Sequence, residues 1–141
     1  MKLDFTERVP AAPDRVFAAL TDPAVILDCV DGLESMTPAG GNAYDLRARP
    51  GLKGRMTVLE AKPAESLALA VEGRSLAGSL KAELRVRLRP EGAGTRVEGS
   101  GDITLGGFLA ALGPNMIASG GRRAVADFFS KLSARLTPSG P

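Results

Sequence analysis

The chain has 141 residues, enough for one domain with a substantial core, and its 44% hydrophobic and 24% charged residues make an ordinary globular balance. A net charge of +2, with 4% aromatic residues and no tryptophan, offers neither the field nor the stacking platforms of a nucleic-acid binder, so no nucleic-acid partner is expected. With no histidine and one cysteine, Cys29, disulfide frameworks, His/Cys zinc sites and histidine triads or bases are excluded, and no metal, cofactor or catalytic residue is expected.

The opening MKLDFTERV places Leu3, Phe5 and Val9 in alternation with Asp4, Thr6 and Arg8, the period of a strand with one buried face rather than of a signal peptide. No stretch is long and apolar enough to span a bilayer, which makes the cytoplasm the expected location. Glu7 shares the apolar phase; either the strand is solvated there or Glu7 is a polar group at a cavity rim. Pro10 and Pro13 end this strand, and Pro13 suits the first position of a short helix, DRVFAAL, burying Val16, Phe17 and Leu20. Asp22 as N-cap and Pro23 behind it open a second short helix running through Cys29.

Asp31-Gly32 then turns the chain into strands at about residues 33–37, 42–49, 52–61, 66–73, 79–89 and 95–105, separated by AGGN, RPG, KPAE, GRSLAG and PEGAG. Short connections imply antiparallel hairpins. In SLKAELRVRLR, Leu80, Ala82, Leu84, Val86 and Leu88 point one way and Lys81, Glu83, Arg85, Arg87 and Arg89 the other, giving one dry and one wet face. From Pro114, Ile117, Gly121, Val125, Phe128, Leu132 and Leu136 share a helix face opposite Asn115, Ser119, Arg123, Asp127 and Ser130. The order predicts an α+β helix-grip arrangement: a seven-stranded curved antiparallel sheet wrapped around a long C-terminal helix, with two short helices after strand one. Residues 1–136 form one domain and 137–141, TPSGP, a polar tail.

Such a sheet leaves a space where it diverges from the helix. Phase assigns to its lining Tyr44, Met56, Val58, Leu69, Leu84 and Val86 from the strands, and Ile117, Gly121 and Val125 from the helix. Leu46, Leu67, Val71 and Phe128 share the same inward phase. This lining is apolar apart from Tyr44, so a hydrophobic small molecule is the natural guest. Gly54, Gly99, Gly101 and Gly121 fall in the same phase, and two readings stay open for them: close packing of helix and sheet, or a hollow. Leu109, Leu112 and Met116 are out of register with the Ile117–Leu132 face, and Gly113-Pro114 splits the run there. Phe108 to Met116 either packs on the short helices or forms an apolar gate or membrane-contacting patch, which brings Leu112 and Met116 into the candidate site. Arg47, Arg49, Lys53 and Arg55, with Lys81, Arg85, Arg87 and Arg89, read as a solvated, edge-protecting face or as a contact for an acidic partner or anionic membrane.

Several segments resemble a known family. MKLDFTERVPAAPDRVFAALTDPAVILDCVDGLESM is similar to the opening of the G-subunit family of carbon monoxide dehydrogenase, within the START and birch-pollen-allergen-like (SRPBCC) superfamily. KGRMTVLEAKPAESLALAVEG, LKAELRVRLRPEGAGTRV and LGGFLAALGPNMIASGGRRAVADFFSKLSARL resemble its later strands and final helix. The resemblance implies a helix-grip fold and a non-enzymatic accessory protein for a molybdenum hydroxylase of the carbon monoxide dehydrogenase type. It further implies a lipid- or quinone-like ligand, a metalloenzyme subunit as partner, and peripheral contact with the inner face of the membrane. Two departures stand out: CVDG lacks the proline common near Val30 and Asp31, and the chain ends at TPSGP where the family often has an extension. The superfamily also contains cyclases and dehydratases of aromatic polyketides, so the alternative is an enzyme acting on an apolar aromatic substrate in the same cavity. It would require Glu7, Tyr44 and an arginine to converge.

Overall fold

In the computed structural model, which describes residues 1–137, the two prolines and the Asp22 cap act as their positions predict. Strand β1 (Lys2–Val9) is followed by helix α1 (Pro13–Leu20) and helix α2 (Pro23–Cys29), each with proline in its first turn. The Asp22 carboxylate accepts a hydrogen bond from the Ala24 backbone N–H at 3.0 Å, satisfying one of the amides that a helix start leaves free.

The next six strands are β2 (Leu33–Pro38), β3 (Ala43–Ala48), β4 (Leu52–Lys62), β5 (Ser66–Ser75), β6 (Gly78–Glu91) and β7 (Gly94–Gly106). All pair antiparallel in the order β1-β7-β6-β5-β4-β3-β2, so the meander from β2 to β7 closes on β1. A 3₁₀ segment, Gly107–Leu112, and the long helix α3 (Pro114–Leu136) complete the chain. This is the expected seven-stranded helix-grip fold. Thr137 caps α3 through its backbone N–H to the Ser133 carbonyl at 2.9 Å; residues 138–141 of the expected tail lie outside the described residues.

Register lines the inner face up in rows. One runs Tyr44–Met56–Val71–Ala82–Ile103, the next Val58–Leu69–Leu84–Gly101–Leu3, and the next Leu67–Val86–Gly99–Phe5. Because side chains alternate along a strand, Arg47, Lys53 and Arg74 belong to the outer face.

The fully buried core gathers at the end of the sheet where β1 finishes and α1 begins. Val9, Val16, Val97 and Leu132 are all at 0% exposure, joined by Leu20, Val25, Cys29, Leu88 and Phe129. Thr95, the buried polar residue there, donates its hydroxyl to the Ala11 carbonyl at 2.7 Å, which ties the start of β7 to the β1–α1 connection. Helix α3 lies against β1, with the Phe5 and Phe129 rings 5.8 Å apart. Phe129 is the deeply buried ring and Phe128 the half-buried one, meeting it edge-on at 5.1 Å. The face assigned from Ile117, Val125 and Phe128 is therefore rotated slightly toward Phe129.

Candidate ligand-binding site

The three helices do not cover the inner face evenly. Helices α1 and α2 sit over one end of the sheet, and between them and β3–β5 lies a cleft of about 300 Å³. Phe17, Leu20 and Ile26 form its helical wall, Met36 its β2 side, and Met56, Val58, Leu67 and Leu69 its floor. Gly41 and Asn42 of the β2–β3 turn and Pro63 of the β4–β5 turn stand with Thr21 at its rim. Its polar groups are Thr21, Asn42 and Tyr44; no carboxylate or cation is among the lining residues. The volume is at the lower edge of the roughly 300–1,000 Å³ typical of small-molecule sites.

Of the residues expected to line a site, the structure brings Tyr44, Met56, Val58 and Leu69 together in this cleft. Leu84 and Val86 lie one strand further on, directly opposite Leu69 and Leu67, and are half-buried. Val125 is half-buried against the core cluster. Leu112 and Met116 are exposed on either side of Gly113, while Gly121 stands over Leu3 and Ile103, in the register rows of the cleft floor but on the β1–β7 side of the sheet, with Ile117 half-buried one turn before it. The far end begins at the β5–β6 turn, where Leu76 follows Leu67 of the cleft by nine residues, about 30 Å along an extended strand.

That far end has a different character. The chain does break at Gly113, where φ is +83°, separating the 3₁₀ segment from α3. Phe108 (81% exposed), Leu112 and Met116 are not packed on the short helices. The Leu109 backbone N–H instead donates to the Ala77 carbonyl at 3.0 Å, holding the 3₁₀ segment beside the β5–β6 turn, whose Leu76 is also fully exposed.

The inward glycines mark close approach. A Cβ at Gly121 would stand 2.8 Å from Leu3 Cδ2, one at Gly99 only 2.1 Å from the Phe5 ring, and one at Gly101 2.9 Å from Leu84 Cδ2. At Gly54 it would meet the Glu72 carbonyl oxygen at 2.3 Å. Of the two readings open for Gly121, the geometry favours close packing, since Leu3 occupies the space beside it, while Gly120 faces open space. The reason is non-local: large β1 side chains reach across to fill the gaps that β7 and α3 leave.

Glu7 keeps the inward phase, opposite Val97 on β7, and is half-buried. It is not in the cleft. Tyr44 is on β3, five strand steps away around the sheet, so the structure does not bring Glu7 and Tyr44 together. The cleft residues that sequence reasoning passed over are Thr21, Ile26, Met36, Gly41, Asn42, Ala61 and Pro63. Phe17 and Leu20, assigned to the core with Val16, do pack there, and both also form part of the cleft wall.

Among the described residues no group of His, Cys, Asp and Glu is arranged to hold a metal ion, and no helix is long and apolar enough to cross a membrane.

Comparison with known proteins locates this arrangement. Residues 6–137 match the family model CoxG, the G subunit of carbon monoxide dehydrogenase. A conserved protein from Geobacillus kaustophilus superimposes with a TM-score of 0.92 at 22% identity, over 96% of this chain and 94% of that one. Ara h 8.0201 superimposes with a TM-score of 0.75 at 13% identity, over 96% of each chain, consistent with a birch-pollen-allergen-like fold. DynU16, a protein of the dynemicin biosynthetic locus, gives 0.69 at 16% identity, over 96% of this chain and 46% of its own. No curated protein sequence matches significantly.

Proposed function

The chain belongs to the CoxG family, that of the carbon monoxide dehydrogenase G subunit, and from that premise we propose that it is a non-enzymatic module holding a hydrophobic, lipid- or quinone-like small molecule in the cleft between α1–α2 and β3–β5. Family membership and the helix-grip fold support hydrophobic ligand binding in general. The observation that carries the specific reading is the lining itself: an apolar floor and wall with only Thr21, Asn42 and Tyr44 to orient a guest. A cyclase or dehydratase would draw on carboxylates or cations inside the cleft, and the lining supplies neither. The client on this reading is a molybdenum hydroxylase of the carbon monoxide dehydrogenase type. The exposed Leu76, Phe108, Leu112 and Met116 suit a peripheral contact with a membrane at the opposite end.

The test is uptake of a short-chain quinone or a fluorescent apolar probe by purified protein, read by fluorescence and native mass spectrometry. Val58→Trp, which fills the floor, should abolish binding while the secondary-structure signal is retained. Unchanged uptake by that variant would remove the cleft from consideration.

A further inference from the structure

The outer face of the sheet carries like charges in line at two places, and they are treated differently. Near the β1–α1 end, Arg8, Arg96 and Arg89 are cross-strand neighbours on β1, β7 and β6. Two members of that row are compensated: Arg8 pairs with Glu91 at 3.6 Å and Arg89 pairs with Glu98. At the opposite end, Arg47, Lys53 and Arg74 are cross-strand neighbours on β3, β4 and β5. Among the described residues none of these three has a carboxylate within 4.0 Å.

Of the nearest acids, Asp45 is held in an ion pair, whereas Glu72 makes none among the described residues. Asp45 accepts both Nε and Nη2 of Arg55, at 3.2 and 3.1 Å, and Glu72 stands between Arg55 and Lys81 in register. Like charges directly opposite on neighbouring strands are unfavourable, so the Arg47–Lys53–Arg74 row is a cost that the protein's own side chains leave standing. It borders a shallow outer-face cleft of about 320 Å³, lined by Ser35, Thr37, Arg47 and Lys53, with Asp45 at one side and Leu46 and Gly54 beneath. Ser35 is the cross-strand neighbour of Arg47, which extends the row with a hydroxyl.

The geometry points to a phosphate-binding site here: Arg47, Lys53 and Arg74 supply the counter-charge and Ser35 and Thr37 hydroxyl donors for a phosphate monoester or diester. Guanidinium and ammonium groups on adjacent strands, about 5 Å apart at Cβ, can converge on the oxygens of one phosphate. Asp45 stays neutralised by Arg55 and so limits rather than prevents anion entry. The phosphate is either that of a soluble compound or that of a lipid headgroup. The site is on the face opposite the Tyr44–Leu69 cleft and does not rest on that cleft's role.

The experiment follows backbone amide shifts at Ser35, Thr37, Arg47 and Lys53 during titration with inorganic phosphate and with glycerol 3-phosphate. In parallel, sedimentation is measured with phosphatidylcholine vesicles with and without phosphatidylglycerol. The variants are Arg47→Gln/Lys53→Gln and, as a control of equal charge change on the same face, Arg85→Gln/Arg87→Gln. Saturable shifts that the first pair weakens by about tenfold, and the control does not, establish a site for soluble phosphates. Binding only to phosphatidylglycerol vesicles, lost in the same pair and kept in the control, establishes a headgroup site. No saturable binding in either arm, or equal loss in both double variants, overturns the proposal. Apolar-probe uptake, measured on the same proteins, should be untouched by Arg47→Gln/Lys53→Gln, so failure here is distinct from failure of the cleft.

Discussion

At one end of the sheet Val9, Val16, Val97 and Leu132 are at 0% exposure, while at the other Leu76, Phe108 and Met116 are 102%, 81% and 63% exposed. Both ends are rich in apolar residues. What separates them is what lies opposite. The first end receives α1, α2 and the last turns of α3, pinned by the Asp28–Arg135 ion pair and by Arg15 donating to the Leu136 carbonyl at 3.3 Å. Among the described residues the second is faced by the 3₁₀ segment and the start of α3, over strands carrying Gly54 and Gly73. Apolar sequence therefore specifies which face turns inward; the number of elements stacked on that face decides whether a dry core results. The cleft is where one regime gives way to the other, since Leu67 belongs both to the core cluster and to the cleft floor.

The largest test of this contrast is a pair of truncations on the same helix. Leu132→Ala removes a side chain buried from all directions and should cost about 2–5 kcal/mol in urea unfolding, from lost transfer energy plus the cavity left behind. Met116→Ala, four and a half turns earlier on α3, should change stability by no more than about 0.5 kcal/mol. Comparable losses at the two positions would mean that the far end is packed as well.

A smaller effect tests whether the inward glycines mark contact or space. The half-buried Phe5 ring lies across Gly99 with the Phe129 ring 5.8 Å away, so a methyl group at Gly99 would press it against its neighbour. Gly99→Ala should therefore destabilise by about 1–3 kcal/mol through overpacking. Adding Phe5→Leu to that variant should recover part of the loss. A neutral Gly99→Ala would show that the sheet–helix seam is loose there.

Much of this was readable from the chain alone, because it depends on neighbours near in sequence. Alternation in SLKAELRVRLR gives β6 and its dry face, Asp22-Pro23 gives the start of α2, and Gly113-Pro114 separates the 3₁₀ segment from α3. Tyr44, Met56, Val58 and Leu69 come together because one phase on three antiparallel strands must share a face. The position of the cleft along that face was not readable. It depends on where α1 and α2 dock, a contact between segments far apart in sequence, and no local period encodes it. The fate of Gly99 and Gly121 was undecidable for the same reason, since Phe5 and Leu3 fill them from the opposite end of the chain. Phe129 was missed by one residue, a helical step of about 100°, because the α3 face was centred between Val125 and Leu132.

The smallest effect probes the dryness of the packed end through its one titratable thiol. Burial pushes the Cys29 thiol above its ordinary value of 9.0; Arg135 and Lys131 pull it down and Asp28 adds to the rise, and the net direction is upward. A raised folded-state value means that the native state holds the proton more tightly than the unfolded chain does. The resulting stability is complete below pH 9.0 and is lost progressively as pH rises from there through the folded-state value. Unfolding measured across that alkaline range should therefore fall more steeply for the parent protein than for Cys29→Ala, which has nothing to titrate at the position. Native-state alkylation of Cys29 should stay slow up to the same pH, because the reactive species is the thiolate. Parallel pH profiles for the two proteins would mean that water reaches Cys29, and the packed end would then differ from the open one in degree rather than in kind.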